Sequence, residues 1–298
     1  MSLSRLGEFG LIAEFKSKIK TDASVVVGSG DDCAVIKYNA RQYLLYTCDM
    51  IIEDVDFCIT QKPELIGRKA LAVSVSDIAS CGGIPRYCVV SMGIPKNMPL
   101  RTIRRISNGM FAISDEYKVN IVGGDLSSSR HLVIDVSMLG LVEKKYLVLR
   151  KGARLGDIIF VSGSLGGSIR GKHLEFTPRV KEARFLVDNF KVSSMIDISD
   201  GFLQDLGHIL EASRAGAIIY EEMIPLNKEA RGLNEALYMG EDFELLFTLS
   251  QDDAERLVSL RLREFTPVGK IMPRNFGLKL CGKNGKSHTP PLKGYRHF

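Results

Sequence analysis

The chain has 298 residues, 45% of them apolar and 25% charged, with 40 Lys and Arg against 35 Asp and Glu for a formal net charge of +5. That length fits two domains of roughly 150 residues each, and the composition is that of a globular protein with sizeable cores. The mild positive excess suits a small anionic ligand; there is no basic block to make a nucleic-acid arm, no apolar run long enough to cross a bilayer, and no opening signal peptide.

The run Val25-Val26-Val27 reads as a strand that stops at Gly28-Ser29-Gly30-Asp31-Asp32-Cys33-Ala34, a tight glycine turn with two carboxylates on its rim. A second strand follows over Ala34-Val35-Ile36. Adjacent aspartates repel, so this is either a plain solvated turn or one that faces a hard, oxygen-preferring cation such as Mg²⁺ or Ca²⁺. Tyr43 to Asp49 reads as another strand ending in an Asp. Past the polar stretch Glu53-Asp54-Val55-Asp56, Pro63 and Glu64 open a helix that runs through Asp77 and closes at Cys81-Gly82-Gly83. Asp77 sits among small and apolar neighbours. Either it is half buried and needs a cation or donors, or it points outward from a helix end.

Tyr87 to Met92 is a third strand, with Pro95 and Pro99 marking a loop. Leu100, Ile103, Ile106, Met110 and Ile113 then recur at spacings of three and four, the apolar face of a helix. Val119 to Asp125 reads as a short strand broken by Gly123 and Gly124; Ser127 to Arg130 is a loop, and His131 to Val142 alternates as a long strand. Around Lys144 to Arg154 the pattern breaks into basic and glycine residues, which divides the chain into domains 1–146 and 147–298. The second half reads as strand Asp157–Val161, a glycine loop, helix Arg179–Phe190 and strand Met195–Ile198, after which Ser199-Asp200-Gly201 opens a helix with Asp200 where an N-cap would stand. Strands follow at Ala217–Tyr220 and Phe243–Leu249, then helix Asp252–Leu262, strands near Val268 and Leu278, and an aromatic tail.

Asp31, Asp32, Asp49, Asp77, Asp125, Asp197 and Asp200 share one context: all but Asp77 stand at strand ends, in glycine turns or at a helix start. Two like charges about 4 Å apart repel by about 4 kcal/mol at an effective dielectric near 20, so such acids converge only with divalent cations between them. Carboxylates around Mg²⁺ commonly hold nucleotide phosphates, and the pattern points to Mg²⁺-dependent phosphoryl transfer. Gly166-Gly167-Ser168-Ile169-Arg170-Gly171-Lys172-His173 nearly matches a phosphate-binding P-loop, but His173 stands where a hydroxyl must reach the metal. His131, His208 and His288 are isolated, and no nucleophilic triad is visible. Six scattered cysteines, 33, 48, 58, 81, 88 and 281, form no CxxC pair, which points to reduced thiols and a cytoplasmic location.

Gly7-Glu8-Phe9, the GSGDDCA turn, Thr47-Cys48-Asp49, Ser76-Asp77, Gly123-Gly124-Asp125, Asp197-Ile198-Ser199-Asp200-Gly201, Gly240-Glu241-Asp242 and the terminal Lys293-Gly294-Tyr295-Arg296-His297-Phe298 resemble, in order and spacing over nearly the whole chain, the thiamine-monophosphate kinases. That family shares its fold with aminoimidazole ribonucleotide synthetase and selenophosphate synthetase. The resemblance implies a fold of class α/β (α+β): an N-terminal mixed-sheet domain that dimerises through its sheet, followed by a C-terminal α+β domain. It implies ATP as phosphoryl donor to thiamine monophosphate and several Mg²⁺ ions, in a cytoplasmic homodimer that engages neither nucleic acid nor membrane. Carried over residue by residue, Asp32, Thr47, Cys48, Asp49, Asp77, Asp125, Asp197 and Asp200 would hold metal, with Cys48 where the family often has Thr. Asp32, Asp125 and Asp200 would form the catalytic set. Gly124, Asp125, Arg150 and Ser199 would lie along ATP, and Asp56, Glu241 and Tyr295 would meet the acceptor, the Tyr295 ring stacking on a cationic heterocycle. Three departures fall in this pattern: Asp56 replaces a family His, Met239 the first glycine of a GGED motif, and Gly167 an Asp; the segment from Gly171 to Pro178 is also shorter. A same-fold synthetase and a non-catalytic nucleotide-binding maturation partner are the competing readings.

Overall fold

The computed structural model describes residues 3–295, so Arg296, His297 and Phe298 of the terminal motif lie outside the described residues, as does the side chain of Phe9. A helix not read from the sequence, α1 (Leu3–Lys18), opens the described chain, with Gly7 breaking its geometry at φ 69°. Then come β1 (Val25–Val27), β2 (Ala34–Lys37), β3 (Gln42–Ile52), α2 (Pro63–Ser80), β4 (Ile84–Ile94), α3 (Leu100–Tyr117), β5 (Asn120–Ser128) and β6 (Val133–Glu143). These strands form one sheet in the order β1-β2-β3-β6-β4-β5, antiparallel except where β4 meets β5. The rest of the chain adds β7 (Ile158–Ser162), α4 (Lys172–Glu175), α5 (Val180–Asn189), β8 (Ser194–Asp197), α6 (Phe202–Ser213), β9 (Gly216–Tyr220), α7 (Leu233–Tyr238), β10 (Leu245–Leu249), α8 (Gln251–Ser259), β11 (Phe265–Met272), β12 (Leu278–Cys281) and β13 (Ser287–His288). Its strands form a second sheet in the order β13-β12-β9-β11-β7-β10-β8.

The two sheets are covered differently, and the sequence shows why. Along β6, buried and half-buried residues alternate strictly, because one face packs against α2 and α3 and the other is open. The strands β7, β8 and β10 are instead buried along almost their whole length, without alternation. Ile159, Val161, Ile196 and Leu246 pack with Phe202, Leu206 and Ile209 of α6, while Phe160, Met195 and Phe247 pack with Leu186 of α5 and Leu257 of α8.

Three expectations are corrected. The strands containing Asp49 and Asp125 do not end there: β3 continues to Ile52 in an eleven-residue ladder with β6, and β5 runs through Gly123, Gly124 and Ser127. Gly124 is needed inside the strand because a Cβ there would stand 1.9 Å from the Val90 carbonyl oxygen. Asp200 is not an N-cap; Gly201 holds that position with no side-chain cap, and the Asp205 carboxylate accepts from the amides of Asp200 and Gly201 at 3.1 Å.

Helix α2 begins at Pro63 as its signals predict and ends at Cys81, where Gly82 takes φ 73° and the Gly83 amide donates to Ile78. Thirteen of its eighteen residues are buried. It crosses α3 where two glycines face opposing backbone: a Cβ on Gly67 would lie 1.9 Å from the Ile106 oxygen, and one on Gly109 the same distance from the Glu64 oxygen. No rotamer change relieves a clash with backbone. Gly109→Val should therefore lower stability by about 3 kcal/mol or more, read by urea denaturation; a midpoint equal to wild type would show that the helices can separate at no cost.

Candidate active site

Helix α2 carries Ser74, Ser76, Asp77 and Ser80 in an otherwise apolar stretch, and each of the three serines meets a carboxylate. Asp77 faces β3, where Thr47 donates its hydroxyl to it. Ser74 donates to Asp49 at 2.7 Å, Ser76 to Asp197 of β8 at 2.5 Å, and Ser80 to Asp32 in the glycine turn at 2.5 Å. Four carboxylates distant in sequence thus gather around one helix, each held by a hydroxyl. Of the sequence candidates, Asp32, Thr47, Asp49, Asp77 and Asp197 come together here. The three serines were not singled out as ligand holders, although a Ser recurring inside a buried apolar helix is their signal.

The cluster is electrostatically tense. Burial and then the charges of Asp49, Asp197 and Asp32 push Asp77 well above the usual carboxylate range. Burial and then the Asp32 charge raise Asp197 to about 8, and burial, with Asp135 the leading nearby charge, raises Asp49 to about 6. Arg150 is the one cation paired with this group among the described residues. Its guanidinium donates to Asp32 at 2.5 and 2.8 Å and its amide to Asp31 at 3.1 Å, and although burial opposes its charge, Asp32 holds it protonated. Asp31, pushed up by burial and by Asp32, titrates at about 7. One guanidinium cannot neutralise five carboxylates. A hard-oxygen set of carboxylates and hydroxyls with unbalanced charge fits Mg²⁺.

Beside the cluster opens a cavity of about 690 Å³ lined by Asp49, Asp56, Lys69, His173, Ser199, Asp200, Met239, Glu241 and Tyr295, among others. All three acceptor candidates, Asp56, Glu241 and Tyr295, therefore share one space with Ser199 and Asp200. The backbone around Glu241 is unusual: Glu241 and Phe243 are both left-handed at φ 69° and 50°, which turns Glu241 into the cavity and Asp242 beneath the glycine loop. Glu241 accepts from Lys69, whose Nζ also donates to the Asp56 carbonyl at 2.8 Å. The Asp56 carboxylate itself accepts from the Ile52 amide at 2.8 Å and so closes its own turn. Met239 is tolerated because the close backbone approach falls one residue later: a Cβ on Gly240 would meet the Ser199 oxygen at 2.2 Å. The Tyr295 amide donates to Asp200 at 3.0 Å, folding the tail onto the site.

Two groups do not join. The Cys48 thiol lies on the open face of the first sheet, between Asp135 and Ser137 at 3.3 Å each, so it cannot reach the inward carboxylates. Asp125 and Gly124 lie on β5, the sheet edge; Asp125 is exposed and in register with Ser91, on the open face with Cys48 and Asp135. Three strand spacings, about 14 Å, separate β5 from β3. The P-loop resemblance is also resolved. Lys172 donates to Ser164 and Glu244 and pairs with Asp242, while Arg179 pairs with Glu244, so the lysine is committed to buried carboxylates.

Residues 30–142 match the N-terminal domain, and residues 149–277 the C-terminal domain, of AIR synthase related proteins, which defines the class to which this two-sheet architecture belongs. Within it, the chain is 34% identical to the thiamine-monophosphate kinase of Buchnera aphidicola subsp. Acyrthosiphon pisum, with 98% of each covered, and 33% identical to that of Aquifex aeolicus over the full length of both. The chain belongs to the thiamine-monophosphate kinase family. A solved structure described as AaThiL complexed with AMPPCP and TMP superposes with a TM-score of 0.87 at 31% identity, covering 100% of this chain and 99% of that one. The hydrogenase maturation protein HypE of E. coli shares the fold at a TM-score of 0.74 and 19% identity.

The raised carboxylates set a pH dependence. A folded-state pKa above the unfolded value means that the folded protein holds the proton more tightly, so stability is lost as pH rises towards the folded value. Between pH 6.5 and 8.5 the protons lost by folded Asp31 at about 7 and Asp197 at about 8 outweigh the smaller, opposite contribution of the depressed His173 and His208, whose unfolded rings still titrate at the lower end of this window. The metal-free protein should melt at a lower temperature at pH 8.5 than at 6.5, and Mg²⁺ should raise the melting temperature more at 8.5. A melting temperature that climbs across this window without metal would refute the clustered-charge account.

Proposed function

We propose that this protein transfers the γ-phosphoryl group of ATP directly to the phosphate of thiamine monophosphate, forming thiamine diphosphate. The carrying observation is the convergence of Asp49, Ser199, Asp200, Glu241 and Tyr295 on one cavity beside the buried carboxylates, in a chain whose full-length relatives are thiamine-monophosphate kinases. Asp32, Thr47, Asp49, Asp77, Asp197 and Asp200, with Asp125, would hold Mg²⁺. When bound, the metal would supply the positive charge that lets two phosphates approach each other. The chain's residues do the rest. Arg150, fixed by Asp31 and Asp32, would supply a permanent cation along the nucleotide, where the Ser199 hydroxyl would also lie. Glu241, aimed by its left-handed backbone, and the Tyr295 ring accommodate a cationic heterocycle. The acceptor phosphate needs no general base, because its second pKa is near 6 and an anionic oxygen is already the nucleophile at neutral pH. Alignment of the two phosphates within the cavity then supplies the rate.

We read residues 1–146 as the metal-binding and dimerisation domain and 147–298 as the domain that completes the pocket, in a cytoplasmic homodimer. Tyr46, Met50, Tyr87 and Val89 stand 39–53% exposed on the open face of the first sheet, an apolar surface that a second copy would cover. Asp125 stands on that face. Because the sheet separates it from the inward carboxylates of its own chain, its part in the reaction depends on this pairing.

Incubation with Mg-ATP and thiamine monophosphate should yield thiamine diphosphate by chromatography; ATP binding without diphosphate would leave only a nucleotide-binding partner. Asp125→Asn should lower kcat by about a hundredfold or more with an unchanged melting temperature, since its side chain is exposed. The double substitution Tyr46→Glu and Val89→Glu should sediment as a monomer and lose activity; a fully active monomer would remove the paired-sheet reading.

A further inference from the structure

Of the cavity-lining residues, His173 has no role in the reading above. It comes from the single-turn helix α4 that follows the glycine loop, and only 6% of its surface is exposed. Its Nδ1 lies 2.9 Å from the Ser168 carbonyl oxygen. A carbonyl only accepts, so Nδ1 carries the proton and Nε2 carries the lone pair. No protein donor among the described residues meets Nε2, and no buried side-chain nitrogen in the described molecule lacks a partner, so Nε2 is open to the cavity rather than sealed behind it. Burial and the nearby Lys69 ammonium hold the ring below the usual histidine range, in agreement with the neutral tautomer.

The support beneath His173 is rigid. Ser168 donates to buried Asp242, which also accepts from the Gly166 amide at 2.9 Å, and Lys172 ties the next position to Ser164 and Glu244 at 2.9 and 3.0 Å. This wall of carboxylate-anchored loop fixes the imidazole plane without any contact to Nε2.

A bare acceptor cannot donate to an anionic phosphate oxygen; its complement is an N–H donor. Its position agrees. Lys69, which faces His173, and Asp77, in the carboxylate cluster, are eight residues apart on α2, about 12 Å along the axis. His173 therefore addresses the end of a ligand remote from its reacting phosphate. Thiamine monophosphate carries an exocyclic amine on its pyrimidine, at the end of the molecule opposite the phosphate.

We propose that His173 is an acceptor-recognition residue of this chain, its Nε2 accepting a hydrogen bond from the pyrimidine amino group of thiamine monophosphate. The assignment rests on the kinase reading above and adds a residue that selects the heterocycle. It sits in the shortened segment between Gly171 and Pro178, on the wall that faces Asp56.

Two substitutions separate recognition from packing. His173→Asn keeps a side-chain donor for the Ser168 carbonyl but removes the cavity-facing acceptor, whereas His173→Gln places an acceptor near the Nε2 position. Binding of thiamine monophosphate by calorimetry and the KM for diphosphate formation would be compared with the analogue in which the amino group is a carbonyl. His173→Asn should weaken thiamine monophosphate binding and raise its KM by about tenfold, the worth of one buried hydrogen bond, and should narrow the preference for the amino over the carbonyl compound, with His173→Gln restoring most of both. The KM for ATP is the internal reference. An unchanged amino-to-carbonyl preference in His173→Asn overturns the proposal, including the case in which only the melting temperature falls. Failure of the wild-type protein to form diphosphate overturns the kinase reading itself, a result that no comparison among variants can mimic.

Discussion

Buried and half-buried carboxylates that repel one another are the constraint on which this molecule turns. Asp32, Asp49, Asp77 and Asp197 come from a glycine turn, a strand, a helix and a strand of the other half of the chain, and each is pinned by a hydroxyl of α2 or β3. Buried like charges are tolerated only with donors, a cation or a proton, and this cluster uses the first two where it can and raises the affinity for the third where it cannot. The bonds that hold the cluster also join the two sheets. Ser76 to Asp197, Arg150 to Asp32 and Lys69 to Glu241 each connect residues of the first half with residues of the second. Assembly of the site and packing of the halves are therefore one event, and α2, buried over most of its length, is the shared element.

The cavity beside the cluster has a polarity along α2. At one end stand the carboxylates; at the other, Lys69, Glu241 and His173. The glycine loop that resembles a phosphate cradle serves this second end as scaffold. Its lysine and the nearby Arg179 neutralise Asp242 and Glu244, and those carboxylates in turn fix the loop amide and hydroxyl. A lysine already paired with two buried carboxylates would have to abandon both to meet a phosphate. The departures from the family pattern fit the same frame: Asp56 closes a turn through the Ile52 amide, and Met239 stands one residue before the position where only glycine fits.

The unequal covering of the two sheets follows from helix placement. Helices sandwich the second sheet, which ends as a closed core, while the first sheet has helices on one face and presents an apolar, partly charged surface on the other. Asp125 belongs to that surface. On that edge strand its carboxylate is exposed to solvent, in contrast to those held by the hydroxyls of α2 and β3.

Much of this was legible in the residues alone. The start of α2 at Pro63, its end just before Gly82, the alternation of β6, the largely apolar β7 and β10 and the aspartates with their motifs all follow from local rules of capping, pleat and glycine freedom. Such rules act over a few residues, so they also mistook Asp49 and Asp125 for strand ends and Asp200 for a cap, because a carboxylate beside glycine looks the same whether or not a ladder continues through it. Only the tertiary structure decided which acids face one another, that three serines of α2 hold them, that Lys172 is spent on Glu244, and that Asp125 lies behind the sheet. Those outcomes depend on burial and on contacts between residues 25 to 172 positions apart, and long-range charge and packing leave no mark on the local spacing of a sequence.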